Sequence, residues 1–439
     1  MSVSSRRIDR LQATFDHGGI VANAGLVVPA TLMVRLGLEA LIDAWVTTGS
    51  SRPGRKVLTL VAAMLAGAAH IDHVDVLRAG ATQRVLPFKV MAPSTIGSFL
   101  RSFTFGHVRQ LDAVLSRTLG RAWAAGAGPG GGPLIVDLDS TICEVHGKHK
   151  QGAAYGYTKR LGYHPLLATR AGTGEILFSR MRKGSAGSSR GIIGFVNELV
   201  ANLRRADVTG SVTVRADSGF WSWELVDRLN VHGVAWSITV TGHAAVRAAI
   251  QAIPDDAWVD IDYTLGGQAQ VAETTLTVGR GRKKRSIKQA RLVVRRTRLA
   301  DTAQRRLWPE WRHHAFITNT TLDTVAADAF HRQHAVVELA IRDLKEGTGA
   351  DHMPSGHYHA NAAWLACAVL AHNLGCWSTQ LAGQPPATNR TRRTRLIAVP
   401  AVIANRSGRT LLRFPARWPW ATAFNTVLNA LRALPGPSG

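Results

Sequence analysis

The sequence predicts an α/β fold in which a mixed sheet follows a helical region and is interrupted by a β-rich insertion. Three observations lead there. The run Gly126-Ala127-Gly128-Pro129-Gly130-Gly131-Gly132 cannot sustain a helix and separates two unlike patterns. After it, short β-rich runs and stretches of helical period follow one another as strand, hairpin, helix, strand, helix, strand. From 245 to 313 that order gives way to strand-like runs alone.

Residues 1–125 read as helical. Val34, Leu38, Leu41 and Trp45 fall on one helix face, Val57–Leu65 continues as a core helix, and Pro93-Ser94-Thr95 caps a further helix over Ile96–Phe103. Residues 126–132 are a flexible boundary. In 133–244, Leu134–Asp139 is a buried strand by length and composition. Tyr163–Arg170 and Glu175–Arg182 flank Ala171-Gly172-Thr173-Gly174 as a hairpin. Ile192, Phe195, Val196, Leu199 and Leu203 repeat at helical spacing, and Ser211–Arg215 and Val234–Val240 are strands. Residues 245–313 form the β insertion, with the basic segment Gly279–Lys288 at its tip. His314–Thr318 returns as a strand to open a second core segment, 314–380. Residues 381–439 are a basic C-terminal tail containing Arg390-Thr391-Arg392-Arg393-Thr394-Arg395.

A chain of 439 residues has room for two to three domains at about 100–200 residues each. Its 46% hydrophobic content supplies a sizeable core. Lys and Arg number 53 against 29 Asp and Glu, a formal net charge of +24. That excess points to a polyanion, because basic side chains neutralise phosphates and release counterions. The tip residues Arg282, Lys283, Lys284 and Arg285 concentrate it and suit phosphate contact, as do Arg390–Arg395; a solvated loop is the plainer account of both. Arg101, Arg109, Gln110 and Arg117 are residue types that read a major groove. Three cysteines without a CxxC exclude a disulfide scaffold and a cysteine-rich zinc module, leaving a reducing cytoplasm as the default compartment. The N-terminus shows no apolar signal core. The longest apolar runs, Val57–Ala69 and Ala362–Leu374, read as buried helices rather than membrane spans.

Candidate chemistry rests on three acids. Asp139 ends the first strand, in Asp139-Ser140-Thr141. Asp217 ends a later one, in Arg215-Ala216-Asp217-Ser218-Gly219-Phe220. Carboxylates at strand ends can converge at one sheet edge and hold a hard divalent cation. Asp137, two residues before Asp139 and on the same sheet face, is the reserve first ligand. Glu338 falls on a helix where His331, His334, Arg342 and Lys345 share its face, opposite Val336, Val337, Ala340, Ile341 and Leu344. An exposed helix with a Glu–Arg i,i+4 pair accounts for the same pattern. With two strand-end acids and the positive charge, a site in which Glu338 meets metal and Arg342 and Lys345 meet phosphate is favoured. Magnesium suits such a set, since it takes its other ligands from water and phosphate. One Gly-x-Ser-x-Gly match, Gly187–Gly191, follows a polar loop instead of a buried strand and does not read as a nucleophile elbow.

These blocks, with Arg332-Gln333-His334-Ala335-Val336-Val337-Glu338 and the trailing Lys345, resemble DDE transposases of bacterial insertion sequences. The similarity is greatest to the insertion sequence thirteen-eighty family, akin in design to piggyBac, and runs over about residues 30–425. The resemblance implies an RNase H-like catalytic core interrupted by the β-rich insertion, and a helical N-terminal region that binds element ends. It implies cut-and-paste transposition with Mg²⁺ or Mn²⁺ on Asp139, Asp217 and Glu338. It further implies DNA partners (inverted-repeat ends and target), a homodimer or higher synaptic oligomer, no membrane, and a bacterial cytoplasm at the nucleoid. The family's helix carries Tyr and Arg where this chain carries His331 and His334, and a neutral imidazole binds an anion less well than a guanidinium. Two rivals stand beside this reading: a catalytically inactive transposase-derived DNA-binding protein, and a zinc or iron hydrolase built on His331-x2-His334-x3-Glu338.

Overall fold

The computed structural model describes residues 11–156, 158–263, 267–279, 287–298, 311–406 and 409–436. In chain order the elements begin with β1 (Ile20–Val21), α1 (Val27–Arg35), α2 (Leu38–Trp45), α3 (Pro53–Ala66), α4 (Pro93–Arg101) and α5 (Phe105–Ala122). The core opens with β2 (Leu134–Ser140), β3 (Cys143–Glu144), β4 (Ala154–Tyr155), β5 (Leu161–Tyr163), β6 (Leu166–Arg170) and β7 (Ile176–Arg180). It continues through α6 (Ile192–Arg205), β8 (Val212–Ala216), α7 (Trp223–His232), β9 (Ala235–Thr239) and α8 (Ala244–Gln251). Then come β10 (Val259–Asp260), β11 (Gln268–Val278), β12 (Lys288–Arg298) and β13 (Arg312–Thr318). The chain closes with α9 (Thr324–Arg332), α10 (Val337–Thr348), α11 (Tyr358–Gln380), α12 (Asn389–Arg392), β14 (Ala401–Arg406), β15 (Arg409–Arg413) and α13 (Ala421–Ala433).

The described residues thus form a mixed α/β structure with thirteen α-helices around one large sheet of order β10-β11-β12-β13-β9-β8-β2-β6-β7. β2 is the third strand in from the β7 edge, antiparallel to β6 and parallel to β8, which is parallel to β9. Leu134, Val136 and Leu138 are buried on one face of β2 and Asp137 on the other, so this strand is covered on both faces. The stretch expected as one strand over 163–170 is two, broken at His164-Pro165; proline cannot donate to a ladder. The β-rich segment is not a separate sheet. β13 pairs with β9, so β12, β11 and β10 extend the central sheet edge outward.

The N-terminal helices pack against α11, which is buried along almost its whole length. One helix face over Val34–Trp45 is not what forms. Gly37 adopts φ 61, a left-handed conformation that glycine tolerates, and splits the stretch into α1 and α2. Val34 is left half exposed and Trp45 is capped by the Arg117 guanidinium 3.5 Å above its ring. The Gly-rich boundary is anchored where it starts, since the Ala127 carbonyl accepts from Arg170 (2.9 Å) and Gln380 (2.7 Å). Among the described residues no single helix is long and apolar enough to cross a membrane. The three cysteines are buried and unpaired.

His331 shows how tightly α9 is seated. Its ring stacks on Phe316 at 4.1 Å, and its nitrogens bond the hydroxyls of Ser237 (2.8 Å) and Thr239 (2.9 Å). Burial first, then the neighbouring cations, push its pKa down to about 2. In the unfolded chain it takes a proton near its ordinary 6.5, so the unfolded state binds more protons below that pH and acid favours unfolding. The expected cost is about 1.4 kcal/mol for each pH unit below that value. Urea unfolding of wild type and His331→Asn between about pH 7 and pH 5 should show a shallower pH slope in the variant.

Candidate active site

The two strand-end acids are placed by the parallel ladder. In the β2–β8 register Asp137 faces Arg215 and Leu138 faces Ala216, so Asp139 and Asp217 leave adjacent strands at the same level and the same end. Neighbouring strands lie about 4.8 Å apart. The Asp139 Oδ1 accepts the Ser140 amide at 2.6 Å. The Asp217 Oδ1 accepts the Gly219 amide at 2.9 Å and caps the short turn Ser218–Phe220. Glu338 comes from the first turn of α10 and, with Asp139, lines a cleft of about 430 Å³ shared with Ser140, Thr141, Arg342 and Lys345.

The electrostatics record the approach of the three. The Asp139 carboxyl is pushed up to about 6, by burial most, then by the charges of Asp217 and Glu338, against the Ser140 hydrogen bond and His334. Among the described residues no three His, Cys, Asp or Glu side chains lie close enough together to hold a metal ion as they stand. The donor chemistry nonetheless fits a hard divalent cation, since the set is carboxylate throughout and Asp139 is costly to ionise, through burial first and the neighbouring carboxylates after it.

Lys345 does not point freely at the cleft. Its Nζ donates to the Ile142 carbonyl at 2.8 Å and reaches Thr141 Oγ1 at 3.5 Å, tying α10 to the loop after β2. Arg342 is exposed at the cleft. Arg282, Lys283, Lys284 and Arg285 lie outside the described residues.

The histidines are placed differently from the expected helix face. The helix is not continuous: Gln333–Val336 is a tighter 3-10 turn between α9 and α10. His331 turns into the sheet, as above, and His334 Nδ1 lies 2.9 Å from Asp137 Oδ1. Val336, expected on the apolar side, is half exposed. Neither histidine joins Glu338 in a ligand set, which removes the zinc or iron hydrolase reading. Asp137 is not a spare ligand either. Almost fully buried, it takes a bidentate pair from Arg215, Nε to Oδ1 at 2.7 Å and Nη2 to Oδ2 at 2.8 Å. Arg215 Nη1 also donates to the Phe330 carbonyl at 2.7 Å, so a buried network pins the end of α9 beneath the acids.

A second support was not anticipated. His164, fully buried, faces the Ala186 carbonyl with Nδ1 (2.7 Å), which leaves Nε2 to accept the Ser140 hydroxyl at 2.9 Å. Burial lowers its pKa and keeps it neutral. Its only trace in the sequence is its position before Pro165 at the strand break. The Gly187–Gly191 segment is held by Arg182, whose Nη1 bonds the carbonyls of Gly187, Ser188 and Arg190.

Elsewhere, several basic residues expected at DNA are engaged within the fold, whereas Arg101, Arg390 and Arg395 are exposed. Arg109 is paired with Asp112 and Glu198, Gln110 bonds Thr47, and Arg117 lies over Trp45. Arg392 is buried against Thr379 and Asn389, and Arg393 bonds the carbonyls of Met64, Leu65 and Gly347.

Comparison with curated proteins finds no match. Among solved structures, a chain of the piggyBac transposase synaptic complex with hairpin DNA is similar. The two share 12% identity over 86% of this chain and 79% of that one, with a TM-score of 0.39. The family model described as transposase DDE domain group 1 matches residues 3–436, and the chain belongs to that family.

Proposed function

We propose that this chain is a DNA transposase that excises an insertion sequence by cut-and-paste and joins its 3′-hydroxyls to target DNA. Family membership supports the reaction class. The observation that carries the residue assignment is the β2–β8 register, which delivers Asp139 and Asp217 to one sheet end beside Glu338. The strand order β7-β6-β2-β8-β9, with its antiparallel and then parallel pairings, supports the reading of an RNase H-like core. On this reading the bacterial insertion sequence thirteen-eighty family is the origin, the nucleoid is the location, and a homodimer or larger synapse is the working form.

Asp139, Asp217 and Glu338 would hold Mg²⁺ or Mn²⁺. Such an ion, when bound, neutralises phosphoryl charge and raises the acidity of a bound water or hydroxyl. The chain's own part is positioning. The Asp137–Arg215 pair holds the sheet end and the α9–α10 turn in fixed relation. Lys345 ties α10 to the loop after Asp139. The Ser140 hydroxyl, given to His164, orients the residue next to that acid. Arg342 binds a backbone phosphate at the mouth of the cleft.

The test is strand cleavage of linear DNA carrying the inverted repeats that flank this gene. Cleavage in Mg²⁺ or Mn²⁺ that EDTA abolishes is the expected result. End binding without cleavage in either metal overturns it in favour of the inactive DNA-binding descendant.

A further inference from the structure

After Asp351 the sequence contains no acid and no lysine, but nine arginines. Two of these, Arg392 and Arg393, are consumed inside the fold. The structure shows where others are displayed. β14 and β15 form an antiparallel hairpin in which Val402 faces Arg413, Ala404 faces Leu411 and Arg406 faces Arg409. Side chains alternate along a strand, and directly opposed residues share a face. One face therefore carries Ala401, Ile403, Leu412 and Phe414, which close a small core with Val21, Ala24 and Ala81. The other carries Arg406, Arg409 and Arg413, all exposed, together with Val402 (41% exposed) and Leu411 (38%).

We infer that this outward face of the β14–β15 ribbon seats on duplex DNA and contacts its phosphates. The inference rests on the reading that the chain acts on DNA, and adds the surface. Charge complementarity selects the occupant: three arginines with no carboxylate in the segment fit a polyanion. Arg406 directly opposite Arg409 is a like-charge pair that weakens an isolated hairpin, and phosphate between them removes the repulsion. Shape agrees. β1 pairs only with Ala401 and Val402, so beyond them the described residues form a two-stranded ribbon, the form that enters a groove. The exposed Val402 and Leu411 offer apolar contact to sugar or thymine methyl edges.

The experiment measures binding of a fluorescein-labelled duplex of the flanking inverted repeat, and of a scrambled duplex of equal length, against salt. For the triple variant Arg406→Ala/Arg409→Ala/Arg413→Ala the expected result is at least about a tenfold loss of affinity on both duplexes at low salt. The log–log salt slope should become shallower by about 2–3, since each phosphate contact contributes about 0.9. The matching triple Lys variant should keep most of the slope. Unchanged affinity and slope in the Ala variant overturn the proposal. So does a Lys variant as impaired as the Ala one, which marks a purely structural role. If either occurs while wild type still cleaves element ends, the transposase reading stands and only the ribbon assignment falls. Wild type without affinity for any duplex overturns both.

Discussion

Arg215→Met should destabilise the fold by about 3–5 kcal/mol, the scale of leaving a buried charge without its partner. Asp137 and Arg215 are each about 1% exposed, and the guanidinium supplies both of the carboxylate's charge-assisted bonds from the neighbouring strand. Removing it leaves Asp137 with His334 alone. Chemical denaturation should show a midpoint shift with little change in m. The double variant Asp137→Leu/Arg215→Met should recover much of the loss, because a buried ion pair replaced by apolar groups of similar volume is often neutral. A double variant as unstable as the sum of its parts would mean that packing, not orphaned charge, sets the cost.

The second large effect concerns activity. Asp139→Asn, Asp217→Asn and Glu338→Gln are each expected to lower metal-dependent cleavage by about 10²–10³-fold or more, the scale of deleting one preorganised electrostatic group. The triple variant should be little worse than the worst single one, since groups that act as a unit are not additive. Stability should move the other way at Asp139. Burial and two like charges raise its pKa from 3.8 to about 6, so the folded state binds the extra proton and loses stability as pH rises through that window. Asn removes the charge, and near neutral pH Asp139→Asn should gain about 1–3 kcal/mol. Asp217 and Glu338 are exposed, and their variants should unfold close to wild type. Single-turnover cleavage and thermal unfolding on the same samples check both halves.

Much of this arrangement is legible in the sequence, and the reason is local. Leu134–Leu138 and Val212–Ala216 are short β-rich runs each followed by an acid, and in a parallel pair equal runs end at equal height. The spacing Asp137-x-Asp139 recurs as Arg215-x-Asp217. Laid side by side, these two triplets already contain the buried pair beneath the two acids, but only once the strands are known to be neighbours. What could not be read depends on partners far along the chain. The helical period runs unbroken through 324–348, because a tight turn at Gln333–Val336 needs no residue that breaks a helix. His331 and His334 leave the Glu338 face there, drawn by Ser237, Thr239 and Asp137. Likewise alternation over 259–298 predicts strands, yet nothing in it says that β13 joins them to β9. Long arginines are the hardest to assign. Arg109, Arg117, Arg392 and Arg393 look solvated in a sequence and are engaged in the fold.

α11 has consequences for inheritance. Helices α1, α3, α4 and α5 all rest on it, so the amino-terminal quarter and the carboxyl half have a single shared interior. An amino-terminal part held as a bead on a string could be exchanged with a cousin's in one recombination. Here an incoming quarter must match the contours of a helix it did not evolve beside, so the two parts change together, one side chain at a time.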